Sequence, residues 1–207
     1  MRSHPSWLWF HDFFNHALFA GTLPQVLVTL QRHARMLGYF APERFAGRLE
    51  EAAVHELALN PDRFPGRTDA DICSTLVHEM VHVWQQTHGT PGRQGYHNRE
   101  WADKMKTVGL QPSDTGEPGG RETGQSMSHF ILPDGPYICR FAALAATGFQ
   151  LHWQSLAWDT QGKAKRASKT KFTCPRCGQN AWAKPDAVLL CGACRDASGV
   201  CPMGAAD

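Results

Sequence analysis

The chain has no uninterrupted apolar run that approaches the roughly 20 residues needed to cross a bilayer. Residues 1–25 are rich in aromatic side chains, but His11, Asp12, Asn15 and His16 interrupt them. No basic segment precedes a clean apolar stretch, as a secretory signal would require. We therefore expect no signal peptide, no membrane span and a cytoplasmic location.

The sequence also has no internal repeat of useful length. Its composition excludes a chain that is disordered over its whole length. Of 207 residues, 42% are hydrophobic and 19% are charged, which suits one globular domain with a small appendage. The net charge of +2 is divided unevenly. Residues 1–160 contain 13 Lys+Arg and 16 Asp+Glu, a balance of −3, whereas residues 161–207 contain 8 and 3, a balance of +5. The C-terminal part is therefore a separate electrostatic unit.

Periodicity and turn signals predict a mixed α+β first unit that closes near Leu110. Thr68 and Asp71 have the spacing of a capping box, and Gly89 and Pro91 supply a stop for the helix that follows. The predicted helices are Trp9–Ala20, Asp69–His88, and one that starts at the N-cap Asn98 and runs to Val108, and the predicted strands are Val26–Leu30, Arg35–Phe40 and Val54–Leu59.

The rest of the chain divides by composition into three parts. Residues 111–128 contain almost nothing to bury and predict a mobile loop, after which residues 130–158 regain aromatics and are expected to pack on the first unit. We thus predict a core over 1–110, a variable segment over 111–160, a basic linker over 161–171, and a compact module with a short tail over 172–207.

The motif HExxH lies in the middle of the second predicted helix, at His78, Glu79 and His82. Positions four apart stand one turn apart on the same helical face, so both histidines can present a ring nitrogen to one metal ion. Glu79 can then accept a proton from a water molecule that the metal activates. The alternative, in which both histidines are solvent-facing, suits a strongly apolar helix poorly.

A catalytic zinc needs a third protein ligand and one open position. His88 has metzincin spacing, but Gln85 occupies the position of the glycine that turns the backbone in that motif. His97 follows a glycine-rich reversal and is the preferred third ligand. Glu100 is the second choice, Asp103 is an alternative of the same kind, and His88 is ranked below Glu100.

Four cysteines have the spacing C-x2-C-x13-C-x2-C, at Cys174, Cys177, Cys191 and Cys194. Two such pairs suit a closed tetrahedral structural zinc site, and a segment this short would depend on the metal for its fold. A redox CxxC pair is the alternative, and duplication of the motif argues against it. Of the remaining cysteines, Cys73 and Cys139 are expected in the core. Cys201 is expected to be a spare thiol in a frayed tail, or a substitute ligand.

Basic residues are concentrated around this cysteine module. Such a cluster attracts a phosphate backbone without reading sequence, and the aromatic rings of Phe172 and Trp182 could stack on unpaired bases. A solubilising linker beside a structural zinc module is the competing interpretation. The basic residues are Lys163, Lys165, Arg166, Lys169, Lys171, Arg176, Lys184 and Arg195.

The stretches FNHALFAGTLP, LVHEMVHVWQQTHG and GYHNREWADKMKTVGL resemble the SprT-like metalloprotease family, which includes bacterial SprT and the eukaryotic DNA–protein crosslink protease Spartan. The resemblance covers about residues 9–110 and, again, the C-terminal zinc ribbon. It implies a small zincin-like, minigluzincin-type core of helices on a three-stranded sheet. By the family pattern, the zinc ligands are His78, His82 and His97, and Glu79 is the catalytic base. The stretch from Gln111 to Trp158 matches no motif of the family.

The residues and the resemblance together predict a zinc endopeptidase with one catalytic and one structural zinc, acting on protein substrates that are associated with or crosslinked to DNA. We expect the substrate to pair with the strand before the zinc helix, Val54–Leu59. Tyr96 and His129 are candidates for oxyanion stabilisation by residue type only. A nucleic-acid-binding adaptor with an idle zincin core is the rival from another class, and a secreted metzincin is a third, which the missing signal sequence and Gln85 disfavour.

Overall fold

A computed structural model describes residues 6–48, 52–153, 155, 169–194, 199 and 201–205. The chain forms two compact units, over residues 1–156 and 157–207. Most of the predicted basic linker, with Lys163, Lys165 and Arg166, lies outside the described residues, as does Arg195. Within the described part, no helix is long and apolar enough to cross a membrane.

In its described residues, the first unit combines four helices with five strands in a mixed α and β arrangement. A 3₁₀ turn, Pro61–Arg63, joins the third strand to the second helix. In chain order the elements are α1 (Trp7–Phe19), β1 (Val26–Leu30), β2 (Gly38–Ala46), β3 (Ala53–Leu59), α2 (Asp69–His88), α3 (Arg99–Thr107), β4 (Leu110–Ser113), β5 (Ser128–Ile131) and α4 (Pro136–Ala145).

Helix α2 confirms the prediction at both ends. The Thr68 hydroxyl accepts from the Asp71 backbone N–H, and the Asp71 carboxylate accepts from the Thr68 backbone N–H, which completes the capping box. Gly89 ends the helix. An apolar stripe that includes Leu76, Val77 and Met80 is fully buried, so the helix runs through the core.

The three-stranded sheet has the order β1-β3-β2. Strand β3 pairs in parallel with β1 and antiparallel with β2. Both edges of β3 are therefore occupied by strands of the chain itself. The expectation that a substrate pairs with this strand is wrong, because β1 pairs with His55–Leu59 along one edge of β3 and β2 occupies the other edge.

Strand β2 begins three residues later than predicted and runs six residues further. The Asn60 side-chain amide donates to the carbonyls of His33 and Met36, and these bonds hold residues 33–36 in a turn. The strand continues through Pro42, which a sheet tolerates on an edge strand, and the pairing with β3 is irregular between Ala41 and Phe45.

The hydrophobic core lies between the sheet, α2 and the flanking helices. Phe14 of α1 and Leu57 of β3 are fully buried in it, together with Trp101 of α3 and Tyr137 of α4. The Phe14 and Tyr137 rings stack at 5.7 Å between centroids. The segment after residue 130 thus packs on the first unit, as expected.

The stretch predicted as a loop over 111–128 contains ordered structure, so that prediction is wrong in part. Strand β4 pairs antiparallel with β5. In the turn between them, the Ser113 hydroxyl donates to the Glu117 carbonyl at 2.6 Å. This segment is ordered although it has few apolar side chains to bury, because backbone and hydroxyl hydrogen bonds hold it together.

The second unit is a small sheet of the order β7-β6-β8, with β6 (Thr170–Thr173), β7 (Asn180–Ala183) and β8 (Gly204–Ala205). Strands β6 and β7 pair antiparallel, with the first cysteine pair in the turn between them. The tail is not frayed through residue 205, since β8 pairs with β6.

Candidate metal centres

The first candidate centre is built on one face of α2. His78 and His82 stand one helical turn apart, and Glu79 lies beside them. His78 is 7% exposed and Glu79 is 6% exposed. Their backbone is held by a helix whose opposite positions are fully buried, so these side chains project from a rigid support.

His97 reaches the same place from the segment before α3. Its Nε2 lies 3.1 Å from the Nε2 of His82. One potential ligand atom from each of His78, His82 and His97 lies within 4.8 Å of the others. Nitrogen ligands of a tetrahedral zinc stand about 3.3 Å apart, since Zn–N distances are about 2.0–2.1 Å. The three imidazoles therefore fit a zinc ion.

The alternative third ligands are engaged elsewhere. His88 Nε2 lies 3.1 Å from the Thr22 carbonyl oxygen. The Glu100 carboxylate accepts from the Thr90 backbone N–H at 2.7 Å. Asp103 forms exposed ion pairs with Arg99 and Lys106. None of the three joins the cluster that contains His97.

Gln85, at the position of the metzincin glycine, connects the end of α2 to the start of α3 through hydrogen bonds. Its side-chain amide donates to Asn98 Oδ1 and to Glu100 Oε2, each at 2.7 Å. Asn98 also caps α3 by accepting from the Trp101 N–H, and its own amide donates to the Thr90 carbonyl at 3.0 Å. These bonds fasten the end of α2 to the start of α3, and they bring His97 back to His82.

Burial sets the protonation of the centre in the metal-free protein. It lowers the pKa of His82 to about 3 and that of His78 well below its usual value, with neighbouring histidines adding to the effect. Both imidazoles are therefore neutral near pH 7 and keep a lone pair for a metal. Burial also raises the pKa of the Glu79 carboxyl to about 8, which places its titration in the range useful to a general base.

Two residues that support the centre, Trp101 and Gly124, were not singled out from the sequence. The Trp101 ring lies 5.0, 5.4 and 4.4 Å from the ring centroids of His78, His82 and His97. The Gly124 carbonyl accepts from the His97 backbone N–H at 2.8 Å. Trp101 lies within the third predicted helix, but no local pattern connects it with the three histidines or connects Gly124 with His97.

The two oxyanion candidates have different surroundings. Both ring nitrogens of His129 are hydrogen-bonded, to His78 Nδ1 at 3.0 Å and to Ser74 Oγ at 2.8 Å, so neither is free for a substrate oxygen. Tyr96 is 36% exposed and lies beside His97, with the Arg93 guanidinium over its ring. A catalytic part for Tyr96 stays a prediction.

Comparison with known proteins gives a family match over much of the first unit. The sequence profile of the SprT-like family matches residues 9–118, more than half of the chain. The chain belongs to the SprT-like family. The resemblance inferred from the three sequence stretches is thereby confirmed, and the family supports a metalloprotease-type role. The matched segment contains α2 and His97, but it ends before Gly124 and His129.

A curated relative of this SprT-like protein is an uncharacterized protein from the mucB 3' region of Salmonella typhimurium. The two are 47% identical over 47 residues, which make up 23% of this chain and 64% of the relative. The alignment thus spans less than two thirds of the relative's own length.

The second candidate centre of the SprT-like chain is the cysteine cluster in residues 174–194. The sulfur atoms of Cys174, Cys177, Cys191 and Cys194 all lie within 4.8 Å of one another. Cys177 Sγ and Cys191 Sγ are 3.7 Å apart, close to the roughly 3.8 Å between thiolates on a tetrahedral zinc. The donor set and its spacing therefore fit a structural zinc.

The first cysteine turn has the backbone geometry of a zinc knuckle. The Gly178 N–H donates to the Cys174 carbonyl at 3.0 Å, and Gly178 adopts the left-handed conformation that favours glycine. Backbone N–H groups of Cys177 and Arg176 lower the pKa of the Cys174 thiol to about 6. A hydrogen bond with Cys177 raises the pKa of Cys194 to about 12, so without a cation the cluster resists holding several thiolates together.

The other three cysteines occupy different environments. Cys73 is fully buried, as expected, whereas Cys139 is exposed, so its assignment to the core is wrong. Cys201 is 3% exposed, with its sulfur 3.8 Å from Cys174 Sγ and its carbonyl accepting from the Cys191 N–H at 2.8 Å. It is therefore part of the packed interior of the second unit and not a spare thiol in a frayed tail.

The two aromatic residues proposed to stack on bases differ in solvent exposure. Phe172 is 4% exposed and cannot meet a base, so that prediction is wrong. Trp182 is 61% exposed, and it stands directly opposite Lys171 in the pairing of β7 with β6. Directly opposed residues of two strands project from the same face, so an exposed ring and an ammonium group share one surface.

Proposed function

We propose that this SprT-like protein is a zinc-dependent endopeptidase with a zincin-like, minigluzincin-type core. The observation that carries the proposal is the convergence of His78, His82 and His97 beside Glu79. Three neutral imidazoles with a carboxylate at their side are the donor set of a hydrolytic zinc site that keeps one position open. The fold around them, with a long buried helix next to a small sheet, is consistent with a zincin.

In this proposal, zinc, when bound, polarises the scissile carbonyl and makes a water molecule more acidic. Glu79 accepts the proton of that water and delivers it to the leaving amine. His78, His82 and His97 would hold the ion through neutral ring nitrogens. Trp101 packs against all three rings and keeps water from their inner side.

The edge of β2 is the proposed place for the substrate backbone. Among the described strands, none pairs with the outer side of β2. Gly38, where β2 begins, lies against the side chain of Glu79, since an added Cβ there would stand 3.3 Å from Glu79 Cγ. An extended peptide could pair with β2 main chain to main chain and carry its scissile bond to Glu79.

The organisation proposed from the sequence fits this activity. Residues 1–110 would form the protease core, residues 111–160 a segment that completes it, residues 161–171 a linker, and residues 172–207 a zinc ribbon. The ribbon holds the structural zinc in this proposal, and the core holds the catalytic one.

Replacement of Glu79 by glutamine tests the peptidase proposal. Glu79→Gln should retain its zinc and lose at least about 100-fold in cleavage rate, the contribution of a general base. The substrate is a small DNA-binding protein, offered with and without single-stranded DNA, and fragments are followed by gel electrophoresis and mass spectrometry. Glu117→Gln, on an exposed turn, is the matched control. Equal cleavage by Glu79→Gln would reject the protease and leave the adaptor.

Binding of DNA by the ribbon is the second part of the proposal. The exposed Trp182 beside Lys171, within residues 161–207 whose sequence has a balance of +5, supports stacking on single-stranded bases with electrostatic attraction. Trp182→Ala should weaken binding of a labelled oligonucleotide roughly 5- to 150-fold, the equivalent of one stacked base. Val188→Ala, which is also highly exposed, should change little. Unchanged anisotropy titrations for Trp182→Ala would favour a purely structural ribbon.

A further inference from the structure

His129 connects the first metal centre to a hydrogen-bonded chain along α2. His78 Nδ1 lies 3.0 Å from His129 Nδ1, and His129 Nε2 lies 2.8 Å from Ser74 Oγ. The Ser74 hydroxyl in turn donates to the Asp71 carbonyl at 2.8 Å. Ser74 and His78 are one turn apart on α2, so the ring of His129 spans the same face of the helix.

The directions of these bonds follow from the last of them. The Ser74 hydroxyl donates its only proton to the Asp71 carbonyl oxygen. Ser74 Oγ must therefore accept the hydrogen bond from His129 Nε2–H. A neutral imidazole has one N–H, which leaves His129 Nδ1 as an acceptor. The proton between the two rings therefore belongs to His78 Nδ1, and the lone pair of His78 lies on Nε2.

We propose that His129 is a positioning residue for the metal, which selects the His78 tautomer whose Nε2 is the ligand atom and fixes the orientation of that ring. This inference rests on the proposed zinc site. Metal-bound histidines commonly donate their second N–H to a fixed acceptor, and such partners orient the ring and raise its basicity. Here the acceptor is another imidazole, locked in turn by a serine.

The position of His129 in the chain gives the segment after the family match a specific use. His129 lies in β5, opposite Pro112 of β4, and beyond the end of the match at residue 118. The same segment supplies Gly124, whose carbonyl lies 3.3 Å from His97 Nδ1. Two of the three ligand histidines thus have their Nδ1 atoms held by residues 119–131. The hairpin completes the inner wall of the metal centre.

Zinc affinity of the full chain tests this inference. His129→Leu introduces an apolar side chain of similar bulk that cannot accept the hydrogen bond from His78. This variant should bind zinc at the histidine site about 10- to 100-fold more weakly. His129→Asn places its Oδ1 near the position of the lost Nδ1 and should recover most of that affinity. Competition titrations with a chromophoric zinc chelator measure the constants, while the ribbon ion serves as an internal reference.

Two further readouts separate the possible outcomes. Thermal unfolding of chelator-treated protein reports any loss of packing, which should be similar for the leucine and asparagine variants if folding alone were affected. Wild-type affinity in His129→Leu, or equal affinities for Leu and Asn, would overturn the positioning role. If instead the wild type itself binds zinc only at the ribbon, and His97→Ala changes nothing, the proposed catalytic site fails and not this inference alone.

Discussion

The Nε2 atoms of His82 and His97 lie 3.1 Å apart although 15 residues separate them in the chain. The approach depends on three adjoining features: α2 ends at His88, the chain reverses, and α3 starts from an Asn98 cap that is bonded to Gln85. Two imidazole nitrogens this close attract a cation that satisfies both lone pairs. The pair is thus the observation that most favours His97 as the third ligand of the proposed zinc site.

We expect His97→Ala to lower the zinc content from two ions per chain to one. The remaining two histidines give a site without its third ligand, whereas His88, bonded to the Thr22 carbonyl, should be replaceable by alanine without loss. Zinc is measured by atomic absorption after dialysis against a mild chelator. Loss of zinc from His88→Ala, with retention in His97→Ala, would show that the ligand assignment is wrong.

Gln85→Ala should destabilise the junction of α2 and α3. Gln85 is 3% exposed, and its removal leaves the partly buried Glu100 carboxylate with one donor fewer. We expect the free energy of unfolding to fall by about 1–3 kcal/mol, and zinc affinity to fall with it, because His97 loses its anchor. Gln86→Ala, at the neighbouring exposed position, is the control for urea unfolding. Equal effects from both substitutions would contradict the network.

Acid should destabilise the metal-free protein through its buried histidines. The folded-state pKa of His82 is about 3 and that of His129 about 4, each below the ordinary value of 6.5. Below pH 6.5 the unfolded chain binds protons that the folded protein does not, so stability falls as the pH falls from 6.5 towards 3. Each histidine contributes at most about 1.4 kcal/mol per pH unit.

The measurement is chemical unfolding of chelator-treated protein between pH 7.5 and pH 5, with His82→Gln as the comparison. The glutamine cannot titrate, so the variant should lose less stability over this range than the wild type. Parallel pH profiles would show that His82 does not contribute. Glu79 changes the stability in the opposite direction. Because its pKa is raised to about 8 in the folded metal-free protein, its contribution to stability is lost as the pH rises towards 8.

Single cysteine replacements should distinguish the cysteines that bind zinc in the ribbon from those that only pack beside them. Cys194→Ser should lower zinc affinity, because serine supplies no thiolate to the tetrahedral set. Cys201→Ser should keep two zincs per chain but lower the melting temperature, since a buried sulfur is replaced by a hydroxyl. Cys139→Ser, at an exposed site, should change neither quantity. Zinc loss in Cys201→Ser with retention in Cys194→Ser would exchange the two assignments.

Local signals were sufficient where an element is defined by its own residues. Helix α2 and strand β1 have the bounds that the sequence predicts, because capping residues, periodic apolar positions and turn residues all lie within the segment. Strand β2 was misplaced, since its start depends on the distant Asn60 amide. The hairpin of β4 and β5 was missed for the same reason: its hydrogen bonds join residues that are far apart in the chain.

Residue spacing alone established that His78 and His82 share a helical face with Glu79 next to them, and that four cysteines have zinc-ligand spacing. The sequence also favoured His97 over His88, through a missing glycine and a glycine-rich reversal. Only the tertiary structure brought His97 Nε2 to His82, filled both edges of β3, and set His129 behind His78. These relations depend on packing and hydrogen bonds between separate elements, which no local pattern of residues encodes.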